Sequence, residues 1–369
     1  MLDFYQRIRE LGPDSRNIAM TILDGPYAGE KALVSDGKVV WCSDEQGLLA
    51  GPDGGLGQEA GADRGQDGMP GQQTGPGPGD IRATGIYSIG GNPVFCEILT
   101  GEKKIVICGG GHVSIPIIQI SRMLGFPVHV LEDRPLFADK ARRAGATEVT
   151  CLPFDQGLAR IPGDKDTFFV IVTRGHRYDQ ICLEAIARKD HAYIGMIGSR
   201  KRVAMVKETV IANGADPQVI QGLHSPIGLD IGAETPEEIG VAVMAEIIQV
   251  KNRQRPSGGF TREILDGILK AGDQELPRVL ATIVARRGSA PRQTGTRMLV
   301  QNDGTCIGTI GGGCAESAIL REALAMIRSG PDTAAASPGR IFQVDLTGQD
   351  AEDQGMVCGG TMEVLLEYI

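Results

Sequence analysis

Positive charge is what this sequence is short of: 37 lysines and arginines stand against 46 aspartates and glutamates, a formal net charge of −9 over 369 residues. Nonspecific binding to nucleic acid or to an anionic membrane needs a basic face, so neither is expected as a partner. Any anionic ligand has to be held by a local site. Long apolar runs are missing as well. The start, MLDFYQRIRE, is charged where a signal peptide would be apolar, and no later stretch reaches the ~18 apolar residues of a membrane span. A cytoplasmic location is expected. The eight cysteines include no CxxC pair. A structural zinc site wants four ligands at short paired spacings, which Cys306, Cys314 and Cys358 do not offer. Most of the cysteines are read as reduced and structural, with Cys108 and Cys182 in apolar, core-like surroundings. Aromatics are scarce too, with Trp41 the single tryptophan.

What remains is an ordinary folded composition, 41% hydrophobic and 22% charged, in a chain long enough for two or three domains. The 52 glycines are densest in one place, where 11 of them fall within 30 residues. Residues 51–80, GPDGGLGQEAGADRGQDGMPGQQTGPGPGD, hold almost no large apolar side chain and cannot offset the entropy of ordering themselves, so they read as a loop or linker. A second break, KNRQRPSGGF, begins at Lys251. These breaks divide the chain into an N-terminal part (1–100), a middle part (101–252) and a C-terminal part (260–369).

The middle part alternates strand and helix patterns. KKIVIC, PVHVLE, TFFVIVT and AYIGMIG are apolar strand-like runs, each followed by a helix-like segment, as in parallel βαβ units with helices on both faces. The expected fold is α/β, a Rossmann-type doubly wound parallel sheet, flanked by smaller α+β domains. Its last helix begins with Thr235 as N-cap, Pro236 at the first position and Glu238 completing a capping box. The two outer parts resemble one another. Each has a strand, a glycine-containing turn, a second strand ending in a DG turn and a third strand, and IGGNPVFCEIL (89–99) parallels CGGTMEVLLEYI (358–369). This reads as an internal duplication whose first copy lacks the GSAPR and GGGC segments and is a structural remnant.

Several motifs carry chemistry. Gly109-Gly110-Gly111-His112 follows a strand and opens a helix at Ser114, the context in which a glycine turn accepts a diphosphate at a helix N-terminus. Glu132 and Asp133, about 20 residues on, suit a ribose diol, and the adjacent Arg134 leaves open a phosphorylated ribose. A scaffold with no dinucleotide is the alternative. His112 and His176, the latter in TRGHRYD, fall where ligand phosphates or nearby backbone could engage them. Gly198-Ser199 repeats the glycine-turn logic before Arg200-Lys201-Arg202. In the C-terminal part, Gly288-Ser289-Ala290-Pro291-Arg292 lies between strands, with Arg297 following. Gly311-Gly312-Gly313-Cys314, then Glu316, leads into a helix, and Cys358-Gly359-Gly360 precedes the last strand. Glycines beside a cysteine leave its sulfur approachable, and a helix N-terminus favours the reactive thiolate.

Taken together, GSAPR with a following GxRM, GGGCxE, the CGG before the terminal strand, GHxYD, YIGMIGSRKR and SPIGLDIGAETPEEIGVAVMAEII resemble the XdhC/CoxI family of xanthine dehydrogenase accessory factors, over nearly all of 103–369. The order departs from the usual one, in that the GSAPR domain is C-terminal with its degenerate copy in front. The resemblance implies a maturation chaperone rather than a stand-alone enzyme. Such a protein binds molybdenum cofactor, as molybdopterin or its cytosine dinucleotide form, assists its sulfuration with a cysteine desulfurase, and delivers it to a xanthine dehydrogenase or aldehyde oxidoreductase-type molybdenum hydroxylase. A homodimer is expected. The implied site places Gly288, Ser289, Ala290, Pro291, Arg292 and Arg297 near the anionic end of the cofactor. Cys314 and Cys358 fall near the metal or its exchangeable sulfur, Cys358 being the candidate molybdenum contact, and the glycines 311–313, 359 and 360 lie around them with Glu316. The Rossmann turn would hold the nucleotide half, or NAD(P). Two rival readings are an NAD(P)-dependent oxidoreductase, against which no tyrosine–lysine or histidine–carboxylate pair is evident for hydride chemistry, and a redox-sensing binding protein using Cys314 and Cys358.

Overall fold

The computed structural model describes residues 2–12, 15–50, 77–253, 259–270, 276–288, 290, 292–330, 339–345 and 360–369. The sequence cut of three becomes two compact units, Gly101–Pro256 and a composite of Met1–Thr100 with Ser257–Ile369.

The composite unit begins with helix α1 (Leu2–Glu10) and strands β1 (Asn17–Ile22), β2 (Lys31–Ser35), β3 (Lys38–Cys42), β4 (Gly85–Ile89) and β5 (Asn92–Leu99). These strands form an antiparallel sheet in the order β3-β2-β1-β5-β4. Asp36 and Gly37, at φ 49° and 81°, make the two-residue turn between β2 and β3, the conformation that an Asp-Gly pair favours. Of the glycine-rich segment expected as a loop over 51–80, residues 51–76 lie outside the described residues. Pro78–Asp80 instead form a short 3₁₀ helix, tied down by Arg16, which donates to the carbonyls of Gly79 and Ile81.

The middle unit runs β6 (Lys104–Cys108), α2 (Ser114–Met123), β7 (Val128–Glu132), α3 (Pro135–Ala144), β8 (Glu148–Cys151), α4 (Phe154–Arg160), β9 (Thr167–Ile171), α5 (His176–Ile186), β10 (Tyr193–Met196), α6 (Arg200–Ala212), α7 (Pro217–Gln221) and α8 (Pro236–Arg253). Its sheet, β10-β9-β6-β7-β8, is parallel throughout. Side chains alternate between two cores, which is why the strands read as unbroken apolar runs. Val106, Cys108, Phe169 and Ile171 face the core shared with α4, α5 and α6. Ile105, Ile107, Phe168 and Val170 face the core shared with α2, α3 and α8. The fold is therefore the doubly wound Rossmann type. The expected capping box opens α8: Glu238 N donates to Thr235 Oγ1 at 3.3 Å and Thr235 N to Glu238 Oε2 at 3.1 Å.

The composite unit is completed by α9 (Arg262–Leu269), β11 (Val279–Gly288), β12 (Arg297–Val300), β13 (Cys306–Gly308), α10 (Gly313–Ser329), β14 (Gly339–Asp345) and β15 (Gly360–Tyr368). The second sheet, β13-β12-β11-β15-β14, is antiparallel and repeats the order of the first strand for strand. The two copies share one apolar core, where Phe4 and Tyr5 of α1 and Leu33 of β2 join Ile264, Leu265, Leu280 and Leu299 of the second copy. That shared core is what joins the first and third parts of the sequence into a single unit. Among the described residues no helix is long and apolar enough to cross a membrane.

Candidate functional site

In the middle unit the glycine turn follows β6, between the ends of β9 and β7. Gly109 has φ 113°, and a Cβ there would lie 2.5 Å from the Val172 carbonyl oxygen, so only glycine fits. Gly110 is equally confined, since a Cβ would lie 2.8 Å from the Phe137 carbonyl oxygen. Gly111 faces open space, with no atom within 4 Å of an added Cβ. The Ser114 hydroxyl donates to the Gly109 carbonyl and ties the start of α2 to the turn.

Glu132, expected to bind a ribose diol, points inward instead. It is buried, and both its oxygens are taken: Oε2 accepts from Gly110 N at 2.7 Å, and Oε1 accepts from Arg134 N at 3.1 Å and Arg134 Nε at 2.8 Å. Arg134 Nη2 also donates to Oε2 at 3.3 Å, so all four lone-pair sites are engaged and none is left to face a ligand; Glu132 holds the turn in shape. Asp133 is held in a fork by Arg174, Nη2 to Oδ2 at 2.9 Å, which joins the end of β7 to the end of β9 across the glycine turn. The Arg174 guanidinium holds the Asp133 carboxyl below its ordinary value. Each arginine at this mouth is also stacked on an aromatic ring, Arg134 on Phe137 at 3.7 Å and Arg174 on Tyr178 at 4.0 Å.

His112 is exposed in the turn, and His176 is exposed as the first residue of α5. Gly198, at φ 155°, and exposed Ser199 precede α6, whose Arg200, Lys201 and Arg202 are exposed. Sequence reasoning missed two residues here, although both lie in the TRGHRYD segment it singled out. One is Arg174. The other is Asp179, a buried carboxyl that accepts from Thr173 Oγ1 at 2.5 Å and that burial lifts above its ordinary value. It also missed a histidine–carboxylate pair. His224 Nδ1 lies 3.0 Å from Glu246 Oε1, while Glu246 Oε2 accepts from Tyr193 Oη at 2.6 Å and from Gly228 N at 2.9 Å. Tyr193 opens β10, at the end of the sheet away from the glycine turn. This cluster therefore anchors segment 224–228 to α8 and does not face the mouth.

In the composite unit, backbone pairing and packing bring the C-terminal motifs together. Gly288, which opens GSAPR, is the ladder partner of Gly360, which closes CGG. Ala290 packs on the core that contains Ile310 and Ala315, on either side of the GGGC turn. Gly311, Gly312 and Gly313 have φ of 129°, 75° and 67°, a succession that side-chain-bearing residues rarely adopt. Glu316 organises this turn. Its Oε2 accepts from the Thr309 hydroxyl, from Ile310 N at 3.2 Å and from Gly312 N at 3.1 Å. Burial alone would raise its carboxyl, but these donors outweigh burial and lower it. Glu316, expected at the cofactor, thus spends its bonds on the turn.

Cys314 is the second residue of α10, a helix of 17 residues. Its side chain lies outside the described residues, as do Ser289, Pro291, Cys358 and Gly359. Arg292 is exposed, and so are Arg286 and Arg287 near the end of β11, which sequence reasoning passed over although they directly precede GSAPR. Arg297 overturns its expectation. It is buried rather than facing a ligand, its two Nη atoms are forked onto Glu97, and its ring-facing side stacks on Phe260 at 3.6 Å. Among the described residues no group of three or more histidine, cysteine or carboxylate side chains gathers as a cation site.

Comparison with known proteins bears on both units. The XdhC Rossmann domain family matches residues 105–247, and the XdhC and CoxI family matches residues 272–335. The chain is 30% identical over 171 residues to YqeB, an uncharacterized protein of Escherichia coli K12, covering 46% of this chain and 31% of YqeB. It is 29% identical over 161 residues to a protein of Bacillus subtilis 168 named as a probable xanthine dehydrogenase subunit, covering 43% and 46%. It is 48% identical over 54 residues to the molybdenum cofactor insertion chaperone PaoD of E. coli K12, covering 15% and 17%. The chain therefore spans less than half the length of each of these relatives. With a Rossmann unit and a GSAPR-bearing unit each matched by its own family and together covering more than half of the residues, the chain belongs to the XdhC and CoxI family.

Proposed function

We propose that this chain is a maturation factor that binds molybdenum cofactor, assists its sulfuration together with a cysteine desulfurase, and delivers it in the cytoplasm to a xanthine dehydrogenase or aldehyde oxidoreductase-type hydroxylase. The observation that carries the reading is the meeting of three motifs in the second copy: GSAPR and CGG joined at Gly288 and Gly360, with the GGGC turn on the same core. A relative named as a molybdenum cofactor insertion chaperone supports it.

The donor set suits such a group. Exposed Arg286, Arg287 and Arg292 offer guanidinium forks to a phosphate. Cysteine sulfur at positions 314 and 358 is a soft ligand suited to molybdenum and to sulfur exchange. Gly312, with no atom within 4 Å of an added Cβ, leaves room for a bulky partner. The cofactor itself supplies the metal and its exchangeable sulfur. The chain grips the phosphate end, keeps the thiols beside small residues, and holds the turn rigid through Glu316. The Gly109–Gly111 turn, open at Gly111, would take the nucleotide half of a cytosine dinucleotide form, or NAD(P).

Two measurements test this. Protein purified from a molybdenum-replete host is expected to carry molybdenum and pterin. A Cys314→Ser and Cys358→Ser double variant, folded to the same thermal midpoint, is expected to leave the client hydroxylase without sulfurated, active cofactor. Absence of both molybdenum and pterin from the wild type would sink the reading. Full client activity with the double variant would leave binding to the arginines and backbone alone.

A further inference from the structure

The two copies in the composite unit are clamped together by a pair of reciprocal ion pairs at equivalent positions. Lys31 stands opposite Thr21 in the first copy, and Arg297 stands opposite Thr282 in the second. Glu97 stands opposite Ala19, two residues before Thr21, and Glu367 stands opposite Leu280, two residues before Thr282. Each cation crosses to the other copy's acid: Lys31 Nζ to Glu367 Oε1 at 2.6 Å, and Arg297 to both oxygens of Glu97. All four side chains are 6% exposed or less, and all four line one cavity. Even the preceding turns coincide. Gly29 has φ 91° and donates to Ile22 O, while Gly295 has φ 90° and donates to Ile283 O at 2.8 Å.

The bridges differ in one respect. Lys31 Nζ donates to Thr21 and Glu367, whereas Arg297 Nη1 reaches past Glu97 to the Gly295 carbonyl at 2.9 Å. Gly295 ends the loop that carries GSAPR. An ammonium is a point charge, while a guanidinium fork can hold a carboxylate and a carbonyl at once. The copy that retains the motifs is thus the copy whose loop backbone is tied, through an arginine, to the copy that lost them. We infer that the N-terminal copy works as an internal partner subunit, in which Glu97 is a positioning residue that braces the GSAPR loop through Arg297 and Gly295. Its link to function rests on the cofactor reading above.

Because the two bridges are matched in burial and position, each is the control for the other. Glu97→Gln and Glu367→Gln in the full chain should lower the thermal midpoint comparably, since each leaves a buried cation without its counter-charge. Amide exchange at Gly295 should separate them. The Gly295 N–H is bonded to Ile283 O and reports whether the braced loop stays closed. Glu97→Gln takes the counter-charge from the arginine that holds the Gly295 carbonyl and is expected to speed this exchange by about tenfold or more, while Glu367→Gln leaves it near the wild-type rate. Binding of purified molybdopterin should weaken in Glu97→Gln and persist in Glu367→Gln. If Glu97→Gln does not fold, Arg297→Lys keeps the charge pair, removes the fork, and is expected to free Gly295 in the same way. Equal exchange at Gly295 in both glutamine variants overturns the inference, and so does unchanged exchange in Arg297→Lys. Failure of the wild type to bind molybdopterin counts against the cofactor reading instead, and the exchange comparison still decides the bracing.

Discussion

Gly109 and Gly111 sit two residues apart in one turn, and the structure assigns them opposite sensitivities to the same added methyl group. At Gly109 alanine meets two costs. Its φ of 113° lies where a side chain strains the backbone by about 1–2 kcal/mol. Its Cβ would also lie 2.5 Å from the carbonyl oxygen of Val172, and Val172 N is itself bonded to Cys108 O at 3.0 Å. The ends of β6 and β9 therefore have to part, an overpacking that costs about 1–3 kcal/mol more. At about 2–4 °C per kcal/mol for a unit of this size, Gly109→Ala should lower the midpoint of the middle unit by roughly 10 °C. Gly111→Ala meets no atom within 4 Å, so it should leave the midpoint unchanged or raise it slightly by restricting the unfolded chain. If the turn takes a diphosphate, the same methyl fills the space through which the phosphates approach the backbone, and nucleotide affinity falls in Gly111→Ala at full stability. Calorimetric unfolding, with titration of NADP and cytidine nucleotides, reads both effects. A Gly109→Ala protein within about 2 °C of the wild type would refute the steric reasoning. A Gly111→Ala protein that unfolds as early as Gly109→Ala would refute it as well.

Burial alone would raise the Glu246 carboxyl, but donation from His224, Tyr193 and Gly228 holds it below its ordinary value. Its contribution is therefore complete above the unfolded pKa, near 4.5, and drains away as pH falls through the lower folded pKa. The stability gap between wild type and Glu246→Gln, followed by urea midpoints from pH 7 to 3, should narrow below about pH 4.5, and a gap constant over that range would contradict it. The buried Cys96 thiol, pushed up to about 12, should resist a thiol reagent at pH 8 until the chain unfolds, whereas exposed Cys306 is modified in the native state. Mass spectrometry of the labelled peptides checks the order, and prior labelling of Cys96 would show that its core opens.

The parts of the fold that sequence reveals are those whose signals are local. β6 and β9 are covered on both sides, so KIVIC and TFFVI carry no polar alternation and read as parallel strands. Thr235 and Glu238 write the start of α8 within four residues. The likeness of the two outer sheets is legible because a strand, a turn and a strand recur in the same order. The union of the two copies is not, because Phe4 and Ile264 meet in one core across more than 250 residues of chain. No pattern within either copy says whether its apolar face is covered by its sister or by something else.

The candidate site divides along the same line. The glycines of both turns could be read because φ values such as 113° at Gly109 or 129° at Gly311 leave few other residues possible. The charged residues could not, since a strand-end acid such as Glu132 suits a ribose as well as it suits Gly110 N, and only the folded backbone decides. Arg297 misled for the same reason, its partner Glu97 lying 200 residues away. That pairing also explains physically how a copy without the GSAPR and GGGC segments stays tied to one that has them. Motifs on surface loops can be lost from the first copy with little effect on stability. Loss of Glu97 or Lys31, by contrast, strands a buried charge in the other copy at about 3–5 kcal/mol, a large part of what holds a domain folded. The first copy can thus differ in its loops but not in its side of the clamp, and through the Arg297–Gly295 bond that clamp also reaches the GSAPR loop of the second copy.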